Sequence, residues 1–487
     1  MKAKIAQSVI MSIGTEKEKA MKHPAALCKR PRDFWPEKEG RMKVLARIGI
    51  LIVLMALAFL ISPGVTRAQD FNSRGCAWPL ELSPEGSGNI QGPDGAARYW
   101  IMPFDTQYGT MTIKGTYPNV RFFSFTAYET IGYDAINNRN SGFHLVEDHL
   151  YDAQITPDPG SVNPFVVPGG RTGTYTVVFS RTGPTSGNTI AVSSDLTWIV
   201  LRTYVSDEDP SLSGQSLMGG VPLPTITLAG TTGPKQLETC WPINKWLDMS
   251  AFGQFLFPPE DDLNVDEGTP TSDRLWFASP KDPPSILWPN PDGKYMMMWP
   301  GEKYQPGRIM VIHGKAPRFP GASEHSPMWA RSRGHQDVDL RYWALCEQNF
   351  AAPLPLIGCV TDLTARLEGG YYTIVISDDR QRPDWLRPDV NWLPYGDEQY
   401  PKFVVYRHML PAADFHQAIQ DVWSYEYNSI PNFCTFELNF PDVPVRGKLD
   451  EKGPCAKDIM GDYYPDAFWC DKSTFVHGGW RACIKGH

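Results

Sequence analysis

GYYTIVISDDRQRPDWLRPDVNWLPYGDEQYPKFVVYRHMLP, residues 370–411, decides how the whole chain is read. Its opening, GYYTIVIS from Gly370 to Ser377, repeats a pattern already met as GTYTVVFS from Gly173 to Ser180, and the template G-x-Y-T-[VI]-V-[FI]-S fits both without a gap. Its closing strand, KFVVYRHM, matches TWIVLRTY ending at Tyr204, which sets Trp198 against Phe403 and Arg202 against Arg407. Upstream of each copy, I-x-G-x-x-P occurs as Ile113, Gly115, Pro118 and again as Ile312, Gly314, Pro317, followed by RFFS at Arg121 and RYWA at Arg341. Motifs recurring in one order are the mark of two divergent copies of one module.

Working outward, the segments around these motifs alternate apolar and polar residues or are solidly apolar, as sheets with one or two buried faces require. In the first copy, strands are expected at RYWIMPF, GTMTIKGTY, RFFSFTAY, GTYTVVFS, NTIAVSS, LTWIVLRTYV and TITLAG, with a long loop from Ile131 to Pro168. The fold class that follows is mainly β: two tandem β-sandwich or jelly-roll-like modules related by internal duplication, with a short helix and a Cys-rich C-terminal wrap. The 42 Gly and 44 Pro agree with short strands and many turns. The organisation reads as an N-terminal extension and signal peptide over 1–68, a lead-in over 69–96, module one over 97–230, a linker over 231–290, module two over 291–411, and a helix with a Cys-rich tail over 412–487. The helix is placed at AADFHQAIQDVWSY, where Phe415, Ile419 and Val422 share one face.

The stretch beginning at Met42 has the form of a secretory leader. Lys43 and Arg47 precede an uninterrupted apolar run from Ile48 to Ile61, and Thr66-Arg67-Ala68 offers small residues at a cleavage site. The expected location is periplasmic or secreted; the alternative is a chain anchored in the membrane through an uncleaved signal sequence. Removing residues 1–68 discards Cys28 and leaves eight cysteines, with no C-x-x-C pair, which in an oxidising compartment suits a disulfide framework. Cys76 and Cys240 bracket module one, and Cys346 and Cys359 stand at the end of one strand and the start of the next, so these two pairs are expected.

The chain carries 46 Lys and Arg against 54 Asp and Glu; without the 13 and 5 of these that fall in residues 1–68, the formal charge is −16. Such a balance speaks against nucleic acid as a partner. No G-x-S-x-G elbow, zinc helix, P-loop or dinucleotide fingerprint is present, so no catalytic residue is named. Three stretches carry chemistry. The run FHLVEDHLYD crowds His144, Glu147, Asp148, His149 and Asp152, and in an extended segment His144, Asp148 and Asp152 share a face as a metal or acid/base set. In the loop from Arg382 to Asn391, Trp385 and Trp392 flank Arg387 and Asp389, a grouping suited to a sugar-like or other amphipathic ligand, or to capping of a sandwich edge. Between Pro317 and Arg341, module two has an insertion bearing His325, Trp329 and His335, where a scaffold tolerates a specificity loop. In the linker, Asp262, Asn264 and Asp266 alternate before Gly268; the glycine comes one place late for an EF-hand, so the stretch reads as a solvated acidic linker, with calcium as the alternative and no other cofactor expected.

The run VNWLPYG before KFVVYRHMLP, together with LTWIVLRTY and the closing GGVPLPTITL of the first copy, resembles the sandwich module of exported bacterial proteins of the domain of unknown function 1214 type. The resemblance implies a β-sandwich and export and carries over no catalytic residue. The function expected is ligand binding by an exported, disulfide-stabilised protein, the ligand being an unidentified small molecule or glycan; the alternatives are a secreted hydrolase or lyase on the same scaffold, or a structural envelope protein. Arg202 and Arg407 each continue an aromatic and aliphatic face, and each is expected to find its partner within its own module, since an unpaired buried charge is too costly.

Overall fold

The structure is a computed structural model that describes residues 75–130, 144–167, 173–206, 218–240, 273–277, 288–319, 338–398, 400–422 and 456–484, with short breaks inside some of these ranges. The leader-like stretch of residues 42–68, the acidic segment with Asp262, Asn264 and Asp266, the segment with His325, Trp329 and His335, and Cys434 and Cys455 lie outside the described residues.

In the first half the strands are β1 (Cys76–Ala77), β2 (Leu80–Leu82), β3 (Ala97–Asp105), β4 (Thr110–Thr116), β5 (Val120–Thr130), β6 (His144–Tyr151), β7 (Thr174–Ser180), β8 (Thr189–Ala191), β9 (Leu196–Ser206), β10 (Thr225–Gly230) and β11 (Gly233–Thr239). In the second they are β12 (Arg274–Leu275), β13 (Gly293–Met298), β14 (Arg308–Lys315), β15 (Leu340–Asn349), β16 (Leu356–Thr361), β17 (Leu367–Glu368), β18 (Tyr371–Ser377), β19 (Asn391–Pro394), β20 (Lys402–Pro411) and β21 (Asp466–Asp471). Two short helices, α1 (Ala456–Met460) and α2 (Lys472–Ile484), follow in the tail.

These strands form four sheets, and the pairing order of the halves is the same. One sheet of the first half contains β10-β4-β7-β8 and its counterpart contains β21-β14-β18-β19; the other two run β3-β9-β5-β6 and β13-β20-β15-β16. Even the direction agrees, since within these matched orders β7 with β8 and β18 with β19 are parallel and the other neighbours antiparallel; the first half adds a further parallel pair, β1 with β11, at its edge. Local detail follows the same rule. A Cβ on Gly115 would meet the Tyr175 hydroxyl at 2.6 Å, and one on Gly314 would meet the Tyr372 hydroxyl at 2.7 Å. Each glycine is therefore required by the ring lying across it on the neighbouring strand. Three residues beyond the matched arginines, Val205 and Leu410 both adopt positive φ, at 50° and 44°, and bend the ends of β9 and β20 alike. For a β-branched residue such as Val205 this is costly backbone held by its surroundings.

Alternation along the strands sets the layers. In β5, Phe123, Phe125 and Ala127 join Met111, Ile113, Tyr175 and Val177 in the core between the two sheets of the first half. The other face of the same strand, with Phe122 and Tyr128, joins Tyr99, Val200 and Tyr204 against Tyr342, Ala344, Cys346 and Met409 of the second half. On β15 and β20 the opposite faces, Trp343, Leu345, Val404 and Tyr406, pack on Met310, Ile312, Tyr372 and Ile374 inside the second sandwich. The inner sheets of the two halves are thus buried on both faces and meet along a seam.

Three expectations change. The loop of 131–168 contains strand β6, paired with β5 from Ser124–Tyr151 to Thr130–His144. The stretch AADFHQAIQDVWSY is, up to Val422, a set of turns ending in a single 3-10 turn at Ile419–Asp421, in which Phe415, Ile419 and Val422 are buried without a continuous helix. The Cys-rich tail supplies β21, which pairs with β14 as β10 does with β4, and the Cys470–Cys483 disulfide ties β21 to α2. Both expected disulfides are present: Cys76–Cys240, and Cys346–Cys359 between residues directly opposite on β15 and β16.

Candidate functional site

A seam between two doubly buried sheets would ordinarily be apolar, yet among the described residues this one contains four arginines and four aspartates. Two ion pairs cross it reciprocally. Arg121 at the start of β5 donates to Asp362 beyond β16 at 2.5 Å, while Arg341 at the start of β15 donates to both oxygens of Asp152 beyond β6 at 3.0 Å. The arginines are sequence counterparts and the aspartates follow counterpart strands, so residue and partner exchange roles between the halves, the pattern of an isologous contact. Burial pushes the Asp152 and Asp362 carboxyls up to about 6 despite their arginines.

Arg407 of β20 crosses the seam as well and pairs with Asp94, which also accepts from the Tyr342 hydroxyl at 2.5 Å. Asp94 lies 313 residues before Arg407, in the first half. The expectation of a partner within its own module is therefore corrected: the aromatic face that the arginine continues is the seam, and its carboxylate comes from across it.

Arg202, the counterpart of Arg407, is fully buried but meets no carboxylate among the described residues. Its guanidinium donates to Thr126 at 2.7 Å, to the Tyr128 hydroxyl, and to the carbonyls of Trp288 at 3.1 Å and Pro289 at 3.4 Å, again reaching across the seam. Tyr128 in turn donates to Pro289 at 2.5 Å, and burial raises its hydroxyl to about 12, so it stays neutral. The carboxylate that symmetry would give Arg202 is Asp292, since Pro291-Asp292-Gly293 repeats Pro93-Asp94-Gly95. Instead, Asp292 Oδ1 lies 3.3 Å from His149 Nε2, and this contact raises the histidine pKa.

Here the seam reaches solvent. The His149 side chain is 31% exposed, against 3% for Asp292. Trp288 stands edge-on to Tyr128 and Trp198, with ring centroids 5.3 and 5.8 Å apart. Several buried polar atoms have no hydrogen-bond partner: Arg202 Nε, Ser124 Oγ, Asp292 Oδ2 and Asn290 Nδ2. Ser124 is directly opposite Arg202 in the β5–β9 register. An aromatic rim over unsatisfied buried donors and acceptors is the composition of a site that receives polar atoms from outside the chain.

The residues singled out in the sequence divide as follows. Asp148 accepts from the Ala191 backbone at 2.7 Å, whereas Asp152 belongs to the seam; the side chain of His144 lies outside the described residues. Glu147 is held by the hydroxyls and backbone of Ser193 and Ser194 and by Thr197. Trp385 and Trp392 pack with Trp480 over Val311, Val375 and Phe475, covering the outer face of the second sandwich. Trp392 donates to Ser377 at 2.9 Å, Lys472 lies over Trp385, and the exposed Arg387 pairs with Asp389 and Glu368. Asp94, Asp292, Tyr128 and Trp288 escaped the sequence reading; the repeated Pro-Asp-Gly was the signal for the aspartates.

No protein-family model matches the sequence, and no curated protein matches it. Among solved structures, the chain is similar to an uncharacterized protein from Burkholderia cenocepacia, at 16% identity and a TM-score of 0.43 over 77% of this chain and 92% of that one. It is also similar to a protein from Vibrio parahaemolyticus, at 15% identity and a TM-score of 0.35 over 74% and 96%.

Proposed function

We propose that the protein is an exported, disulfide-stabilised ligand-binding protein whose ligand enters the seam at Arg202, Asp292 and His149. The observation that carries this reading is the cluster of buried, unpartnered polar atoms beneath the Trp288–Trp198–Tyr128 rim. Aromatic faces beside polar groups suit a sugar-like or otherwise amphipathic small molecule. Export is supported by the leader-like sequence and by three disulfides, which persist in oxidising compartments; among the described residues no helix is long and apolar enough to cross a membrane. Internal duplication is supported by the matched strand order, and the likeness to the domain of unknown function 1214 by NWLP, which forms β19 ahead of the arginine-bearing β20. The test is tryptophan fluorescence titrated with monosaccharides, glycosides and small aromatic acids and alcohols. Saturable quenching lost in Trp288→Ala is the expected result; no quenching by any member, or quenching unchanged in the variant, overturns the proposal.

A second reading, a secreted hydrolase or lyase, draws on the His149–Asp292 contact. A partly exposed imidazole whose pKa is raised by a buried carboxylate is a proton carrier held in orientation. Turnover that disappears in His149→Ala while ligand still quenches would favour this reading over binding alone.

A further inference from the structure

The seam holds its charges in matched sets, and one set is incomplete. Asp362 is taken by Arg121, Asp152 by Arg341, Asp94 by Arg407 and Asp292 by His149. Each of these four seam aspartates thus has a basic partner, and among the described residues Arg202 is the seam cation left over. Its neutral neighbours satisfy some of its hydrogen bonds without supplying charge. A guanidinium has five donors in a planar fork and does not lose its proton in proteins, and an uncompensated buried charge is among the costliest groups a fold can hold. The counterpart position shows what complements it, for in the other half the same strand position is met by the Asp94 carboxylate. Around Arg202 the complement is absent among the described residues, and its place is marked by Ser124 Oγ, which lies directly across the strands without a partner where Arg407 faces Ala344; Arg202 Nε lacks an acceptor, as Arg407 Nε also does.

We propose that the ligand of this site carries a carboxylate, which seats on the free edge of Arg202 beside Ser124 and does for Arg202 what Asp94 does for Arg407. The inference rests on the ligand-binding reading above and narrows it to carboxylic acids, sugar acids or ring-bearing acids being the two sources that suit the rim. Asp292 Oδ2 supplies an acceptor for a hydroxyl on the same ligand. His149, already bound to the other oxygen of Asp292, stands where the seam opens to water.

Matched probes separate the carboxylate from the rest of the molecule: glucuronate against glucose, and phenylacetate against phenylacetamide, each read by calorimetry and by thermal shift on the full-length oxidised protein. The acids should bind and their neutral partners bind at least about tenfold more weakly, a difference expected of a charge-assisted contact. Whichever acid binds identifies the source. Arg202→Gln should remove the preference for the acid. Ser124→Asp places a carboxylate opposite Arg202 and should raise the melting temperature while blocking the acids. Equal binding of an acid and its neutral partner would refute the carboxylate and leave ligand binding intact. Binding of neither member of either pair, with no stabilisation in Ser124→Asp, would refute it as well and would reduce the unpartnered atoms to sites for buried water. If Ser124→Asp fails to fold, the Arg202→Gln comparison alone decides.

Discussion

Arg341 donates to both carboxylate oxygens of Asp152 at 3.0 Å, across the seam between the two halves and with both side chains sealed from solvent. Removing either partner leaves a buried charge without its complement, which costs about 3–5 kcal/mol. Arg341→Met and Asp152→Asn should each lower the unfolding free energy from denaturant titration by that amount, and the double variant should lose much less than the sum. Additive losses in a double-mutant cycle would show that the pair is not coupled.

Arg202 and Arg407 share a strand position but not an environment, so their replacement should have unequal effects. Arg407→Met strands Asp94 in the seam and should destabilise by about 3–5 kcal/mol. Arg202→Met abandons hydroxyl and carbonyl acceptors, worth about 1–3 kcal/mol, but also removes a buried charge that has no carboxylate among the described residues, so its net cost should fall below that figure. Melting temperatures that fall equally in the two variants would contradict the asymmetry.

Disulfide mapping by proteolysis without reduction should return Cys76–Cys240, Cys346–Cys359 and Cys470–Cys483. Chain-entropy arguments give about 3 kcal/mol for closing a loop near the 13-residue separation of Cys346 and Cys359, and about 5 kcal/mol for the 164-residue separation of Cys76 and Cys240. Cys76→Ser with Cys240→Ser should therefore be the more damaging double substitution; the reverse order of melting temperatures would overturn this ranking.

His408 is buried against Tyr406, its Nδ1 accepts from the Ile419 backbone, and burial lowers its pKa to about 3. As pH falls below 6.5 the unfolded chain takes up a proton that the folded chain refuses, so stability is lost progressively toward pH 3, by up to about 1.4 kcal/mol per unit. His408→Gln should flatten this acid loss of stability, as read from urea midpoints between pH 6.5 and 4.5. Parallel profiles for wild type and variant would refute the assignment.

Much of the scaffold was legible because alternation and the G-x-Y-T template report local sterics: Gly115 faces Tyr175 and Gly314 faces Tyr372 for one reason. Strand β6 was hidden by its polar content. Glu147 and Asp148 are hydrogen-bonded to the 191–197 segment, so the sequence lacks the apolar face that betrays a strand. The six residues of β21 are too few to show a period. The seam was illegible for a deeper reason. Period two reveals which side chains share a face, but Phe122 and Phe123 are both buried and nothing local says that one looks into its own sandwich and the other into the neighbouring half. The partners of Arg202 and Arg407 lie in that second direction.

The reciprocal pairs also order events in time. Arg121 precedes Asp362 by 241 residues, and Asp152 precedes Arg341 by 189. At ordinary rates of synthesis, roughly 5–20 residues per second, about ten seconds or more pass between Asp152 and Arg341, and longer between Arg121 and Asp362. Through that interval the inner sheet of the first half carries Arg121 and Asp152 without their partners, and because the two pairs are reciprocal a second copy of the first half offers the same complements. Two nascent chains could close on one another in that window, and what favours the correct contact is that the second half is joined to the first in one chain.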